Sequence, residues 1–202
     1  MKKLLACCGF AFAVLFSQQE AKSAAVVSVS VVGDSVVADG SGTLNLAALT
    51  FDSNGAFGSA RLDPASGIIT VGPVGPAPVS IYTGITFGGA FGGGSQTDAG
   101  SPSGSGDLFG VSLGAFPELI VPEGYVSGSA LSGKTTWANV NMGNLDLTAG
   151  TYVWTWGTGG TADSLTLKVD TTSAAAVPEP GTYALFALTG LGLIAFRRRI
   201  RG

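Results

Sequence analysis

The 202-residue sequence has no histidine, two cysteines and few charges, 11% of all residues. Without histidine it cannot build a Ser-His-Asp or Cys-His catalytic set, an imidazole-bound zinc or copper centre, or a c-type haem. Both cysteines, Cys7 and Cys8, fall in the first ten residues. The region beyond them has no thiol for a disulfide or an iron–sulfur cluster, so its stability rests on burial and backbone hydrogen bonds. No cofactor and no metal is expected. Cations are the next scarcity. Between residues 25 and 176 only Arg61, Lys134 and Lys168 are basic, against eleven acids, a balance of minus eight. An acidic surface of that kind repels phosphate backbones and anionic lipid, which removes nucleic acid from the list of partners.

Glycine, by contrast, is abundant, with 32 residues. The central region is written in Gly, Ser, Thr, Ala and Val, and it shows short alternating or β-branched runs rather than a helical period. Runs over 26–32, 42–51, 67–71, 79–87, 108–113, 118–121, 134–140, 150–156 and 164–169 read as strands. Turn signals about every ten residues predict an all-β fold, a single antiparallel β-sandwich, jelly-roll-like, of about eight or nine strands. The glycine-rich stretch 88–106 reads as a long loop. The proline cluster over 72–78 reads as a turn, because proline is excluded from central strands.

The two ends carry targeting grammar. Lys2 and Lys3 precede an apolar stretch from Leu4 to Phe16, followed by small residues Ser23, Ala24 and Ala25, the layout of a secretory signal peptide. It implies the Sec translocon and signal peptidase as partners. Cleavage after Ala25 is preferred, with Ser23 as the other position. Leu4-Leu5-Ala6-Cys7 spells a lipoprotein box, but its use would leave too short an apolar region before the cut. At the other end stand Pro178, Glu179 and Pro180, then an apolar run opening at Tyr183 and closing at Phe196, then Arg197, Arg198, Arg199 and Arg201. The prolines hold the motif extended and accessible. The run is about fourteen residues, short of the roughly twenty that span a bilayer, and reads as a temporary transmembrane helix. The arginines keep their side cytoplasmic and put the body on the far side. The organisation expected is a signal peptide over 1–25, an ectodomain over 26–170, a linker over 171–176 and a sorting tail over 177–202.

These tail residues resemble the PEP-CTERM sorting signal of Gram-negative bacteria. The resemblance implies that Pro178, Glu179 and Pro180 are recognised by exosortase, an integral-membrane cysteine protease that removes the tail, and that the arginines act as the basic stop. It also implies passage through the inner membrane to the cell surface or extracellular matrix, in organisms that make exopolysaccharide and biofilm. The body is similar to a recurrent ectodomain of PEP-CTERM proteins. That similarity lies in Gly40-Ser41-Gly42-Thr43-Leu44-Asn45-Leu46, Gly104-Ser105-Gly106-Asp107-Leu108-Phe109-Gly110, Val121-Pro122-Glu123-Gly124-Tyr125 and Gly150-Thr151-Tyr152-Val153-Trp154-Thr155-Trp156-Gly157. It implies no activity.

Candidate chemistry in the body is thin. Gly33-Asp34-Ser35 matches the opening of a GDS-type esterase motif but lacks the histidine base, and reads as a turn. Asp34 and Asp39, or Asp98 and Asp107, are candidate calcium ligands without the spacing of a calcium loop. Two of the eleven acids could converge as a glycosidase pair, which needs carboxyls about 5–10 Å apart in a cleft. Tyr152, Trp154 and Trp156 recur at period two and share one face of a strand. They are either an inner face, with Trp137 beside them, or a candidate sugar-stacking strip. The expected function is that of a secreted, non-enzymatic matrix protein. A carbohydrate-binding module on the aromatic strip and a carboxylate-dependent glycoside hydrolase are the alternatives.

Overall fold

The computed structural model describes residues 24–94, 101–140 and 145–173. The sorting tail and residues 1–23 of the expected signal peptide lie outside that range, including the helices expected of them, while Ala24 and Ala25 lie inside it. The described residues are all-β: twelve strands and one short 3-10 turn, Gly159–Thr161. No helix among them is long and apolar enough to cross a membrane.

Strand β1 (Ala25–Val32) shows how the pattern becomes structure. Ala25, Val27, Val29 and Val31 point inward and are buried, while the alternate residues are partly or fully exposed. Each buried valine contributes about 1.5–3 kcal/mol of transfer free energy. A two-residue loop, Gly33-Asp34, returns the chain into β2 (Ser35–Thr43), with Val32 opposite Ser35. Gly33 has a φ of 59°, as the first position of a type II′ hairpin turn requires. The esterase-like Gly-Asp-Ser is therefore a hairpin turn.

The chain then builds β3 (Thr50–Phe57), β4 (Leu62–Asp63), β5 (Ile68–Val71), β6 (Ala77–Thr83), β7 (Ser101–Gly106), β8 (Phe109–Leu113) and β9 (Pro117–Pro122). It closes with β10 (Ala130–Ala138), β11 (Gly150–Trp156) and β12 (Asp163–Ser173). One sheet has the order β11-β12-β1-β2-β10-β7, the other β3-β6-β9-β8-β5-β4. A single hydrophobic cluster draws on both, with Val27, Val29, Trp137 and Leu167 from the first and Val71, Phe109, Val111 and Leu119 from the second.

The sheets approach most closely over a row of glycines. Gly40 on β2, Gly133 on β10 and Gly106 on β7 stand in register. A Cβ at Gly40 would lie 2.7 Å from Val71 Cγ2 and 2.8 Å from Phe109 Cζ, and one at Gly133 would lie 2.3 Å from the Asp107 carbonyl oxygen. Phe109 thus fills a depression made by missing side chains. Beside it the buried Thr135 hydroxyl bridges the sheets, accepting from Gly72 N and donating to Gly72 O, both at 2.9 Å.

Several expectations are corrected. Nine of the ten strand pairings among the described residues are antiparallel, but β1 and β12 run parallel, Ala25 opposite Leu165 and Val29 opposite Val169. The run 42–51 is not one strand, since β2 ends at Thr43 and β3 begins at Thr50. The glycine-rich 88–106 is not simply a loop, because it contains β7 and a fully buried Phe91. Pro78 sits inside β6, which is flanked by β3 and β9; it is tolerated one residue from the strand's start, where a missing N–H costs least.

Candidate functional site

The aromatic strip on β11 alternates as its sequence predicts, and its direction decides its role. Trp154 is 1% exposed and Trp156 4%. Buried indoles offer no ring face to a ligand, so neither can stack on a sugar. Trp154 packs under Gly88, where a Cβ would fall 2.8 Å from the indole. Trp156 donates its Nε1–H to the Asn45 carbonyl at 2.7 Å. Tyr152 is half-buried, its ring 5.8 Å from that of Phe91 and its hydroxyl donating to Thr148 O at 3.0 Å. Trp137, also buried, lies on β10 in register with Val36 and Pro102.

Around Trp156 the structure gathers residues that are far apart in sequence. Residues 44–46 form an extended strap whose backbone is held by side chains rather than by a strand. Leu44 N donates to the Tyr125 hydroxyl at 2.9 Å, Asn45 N to Asp163 Oδ2 at 2.5 Å, and Leu46 N to Ser127 Oγ at 2.8 Å. The single Tyr125 hydroxyl proton in turn goes to the Ser129 carbonyl at 2.7 Å, with the Leu44 carbonyl at 3.2 Å as the longer alternative acceptor. Burial raises the Tyr125 pKa above its ordinary value and the negative charges of Asp163 and Asp107 add to this, while the hydrogen bond to Leu44 opposes it. Asp163 is a buried acid, 2% exposed, and its second oxygen accepts from Ser164 N at 2.7 Å. Three of the four sequence segments that resemble the recurrent ectodomain, around Leu44, Tyr125 and Trp156, meet here. The fourth, 104–110, supplies Phe109 to the glycine row. All four are explained by packing and backbone satisfaction.

Asp163 was not singled out by sequence, because one aspartate after a glycine-rich turn carries no spacing signal. Three of the four candidate calcium-ligand acids lie among the described residues. Asp34 is in the exposed hairpin turn. Asp39 faces Lys134, Nζ–Oδ2 3.9 Å with both side chains more than half exposed, a contact of small energetic value. Asp107 accepts from Ser132 N at 2.9 Å. Asp98 lies outside the described residues. Among the described residues no group of three or more Asp, Glu, His or Cys is placed to hold a metal ion. Two acids do sense each other: the pKa of Glu118 on β9 is raised by burial and, secondarily, by the charge of Asp52 on β3.

The sorting residues Pro178, Glu179 and Pro180, the run from Tyr183 to Phe196 and the arginines 197, 198, 199 and 201 lie outside the described residues. β12 ends at Ser173, opposite Val31 and beside the β1–β2 turn, while Ala25 starts β1 at the other end of the sheet. No curated protein and no solved structure matches the chain significantly. Residues 176–199 match the family model of the PEP-CTERM protein-sorting motif. The chain thus carries a PEP-CTERM protein-sorting motif at 176–199, and the motif implies exosortase processing and sorting to the cell surface.

Proposed function

We propose that this chain is a secreted, non-enzymatic surface or matrix protein whose β-sandwich ectodomain is delivered by an exosortase-type system and associates with exopolysaccharide or biofilm. The observation that carries the reading is the PEP-CTERM motif at 176–199, directly after a body whose last strand closes at Ser173. The chain from Ser173 to Pro178 spans at most about 18 Å even fully extended, at roughly 3.6 Å per residue. The motif is therefore read with the domain close to the membrane, held there by the run from Tyr183 to Phe196 before processing. A structural role is supported by how the body uses its chemistry-bearing residues. Trp154, Trp156, Tyr125 and Asp163 are spent on core packing and on satisfying the strap's backbone. A carbohydrate-binding module on the aromatic strip loses its surface for the same reason.

The test is fractionation. Replacing Pro178, Glu179 and Pro180 with alanine should leave export intact and stop processing, so that full-length chain accumulates in the inner membrane. Deleting residues 177–202 should release the body into the periplasm or medium. Wild-type protein at the surface that still carries its Arg197–Arg201 end would show a permanent anchor and end the exosortase reading.

A further inference from the structure

We propose that signal peptidase cuts between Ser23 and Ala24, so that the mature chain begins at Ala24. This rests on the export reading above and deepens it. The sequence offers two small-x-small sites, Ala21-Lys22-Ser23 and Ser23-Ala24-Ala25, and residue size alone does not choose between them.

The fold does choose. Ala25 is the first residue of β1 and its side chain is fully buried, at 0% exposure. It pairs with Leu165 on one side and Gly42 on the other, so it closes two ladders at once. One residue earlier, the Ala24 carbonyl accepts from Thr43 N at 3.5 Å. Gly42 is shaped around both residues: a Cβ there would fall 2.3 Å from Ala24 O and 2.6 Å from Ala25 Cα. Gly42 also has a φ of 135°, open to glycine and strained for other residues.

A cut after Ala25 would remove both residues from beside Gly42 and take a residue from each ladder. It would also place a new ammonium on Val26, which is only partly exposed and lies between β2 and β12, where desolvating a charge is costly. A cut after Ser23 places the ammonium on Ala24, which is exposed. The peptidase meets the chain before it folds, so the fold bears on the site through the residues the mature domain needs. The step is a hydrolysis. Water adds its hydroxyl to the Ser23 carbonyl carbon, the Ser23–Ala24 C–N bond breaks, and the proton goes to the Ala24 nitrogen. One fragment ends in a Ser23 carboxylate and the other begins with the Ala24 amine.

Mass spectrometry of the exported full-length chain reads the outcome directly. A mature amino terminus at Ala24 is expected. A terminus at Val26, lighter by the two alanines, would overturn the proposal while leaving export standing. A chain still carrying Lys2 and Lys3 would overturn it together with the export reading, so the two failures are distinguishable. Ala21→Leu enlarges the third residue before the proposed cut without touching β1. It should abolish most of the Ala24-started product. Unchanged yield of that product would mean that Ala24 arises by later trimming, which also overturns the proposal.

Discussion

Gly40 and Asn45 are close neighbours in sequence and are held by opposite means. At Gly40 the first sheet has no side chain, and the second fills the gap with Val71 and Phe109. At Asn45 the backbone has left the sheet, and side chains from three distant segments come to it: Tyr125 and Ser127, Asp163, and Trp156. The glycine row is stable because nothing polar needs a partner and the fit is tight. The strap is stable because every polar group needs a partner and finds one. The first region fails when volume is added, the second when a donor or acceptor is taken away.

The largest expected effect lies at the strap, on a side chain that both packs and donates. Trp156 is a buried core indole and also the donor to Asn45 O. Trp156→Ala should cost roughly 3–5 kcal/mol, mostly from the cavity. Trp156→Phe keeps much of the ring volume and leaves the Asn45 carbonyl without its partner, about 1–3 kcal/mol. Chemical denaturation of the two variants separates packing from hydrogen bonding. Equal losses would mean that the indole N–H, not the ring volume, carries the effect, whereas a Trp156→Phe variant as stable as wild type would mean that the N–H matters little and that the strap is held by Tyr125 and Asp163.

Gly133→Ala tests the other region. Its Cβ would meet the Asp107 carbonyl oxygen at 2.3 Å, a backbone atom that cannot swing aside, so a loss of about 1–3 kcal/mol is expected from overpacking. Gly55→Ala on β3 is the control, since nothing lies within 4 Å of a Cβ there. If both variants melt alike, the glycine row is not a close approach, and the contrast with the strap collapses.

This contrast also explains what the sequence made legible. The strand at 150–156 is legible with its observed bounds, and β1 and β12 with slightly shorter ones, because valine, leucine and tryptophan alternate there with small or polar residues. The strands β2 and β7 are hidden for the reason that they matter: Asp39-Gly40-Ser41-Gly42 and Ser103-Gly104-Ser105-Gly106 look like turns, and they are strands in which Gly40 makes room for Val71 and Phe109 and Gly104 for the Gly72 carbonyl. The strap was misread in the reverse sense. Leu44, Asn45 and Leu46 alternate like a strand, yet their backbone partners are side chains carried by residues more than seventy positions away, which no local pattern reveals. The parallel β1–β12 pair was equally invisible, since it joins the first and last strands of the body. The tail was readable because its signal is linear: motif, apolar run and arginines act in order along the chain and need no fold to bring them together.

The smallest effect concerns Glu118, on the second sheet and in neither region. Burial, reinforced by Asp52, raises its pKa, so the native state holds its proton more tightly than the unfolded chain does. The sign follows from linkage: where the folded chain binds more protons, stability falls as pH rises. The contribution of Glu118 is fully present below its ordinary value of 4.5 and is lost as pH climbs through the raised native value. At neutral pH the ionised carboxylate is a net cost. Glu118→Gln should therefore melt slightly higher than wild type at pH 7, with the advantage shrinking as pH falls through the raised native value and gone below about pH 4.5, where both states are protonated. Asp52→Asn should give a smaller shift of the same sign, because it removes only the secondary cause. Melting curves of the three proteins at pH 4 and pH 7 measure this. A Glu118→Gln variant that is less stable than wild type at pH 7 would mean that the charged carboxylate has a stabilising partner, and that the repulsion from Asp52 is not what governs this edge of the sheet.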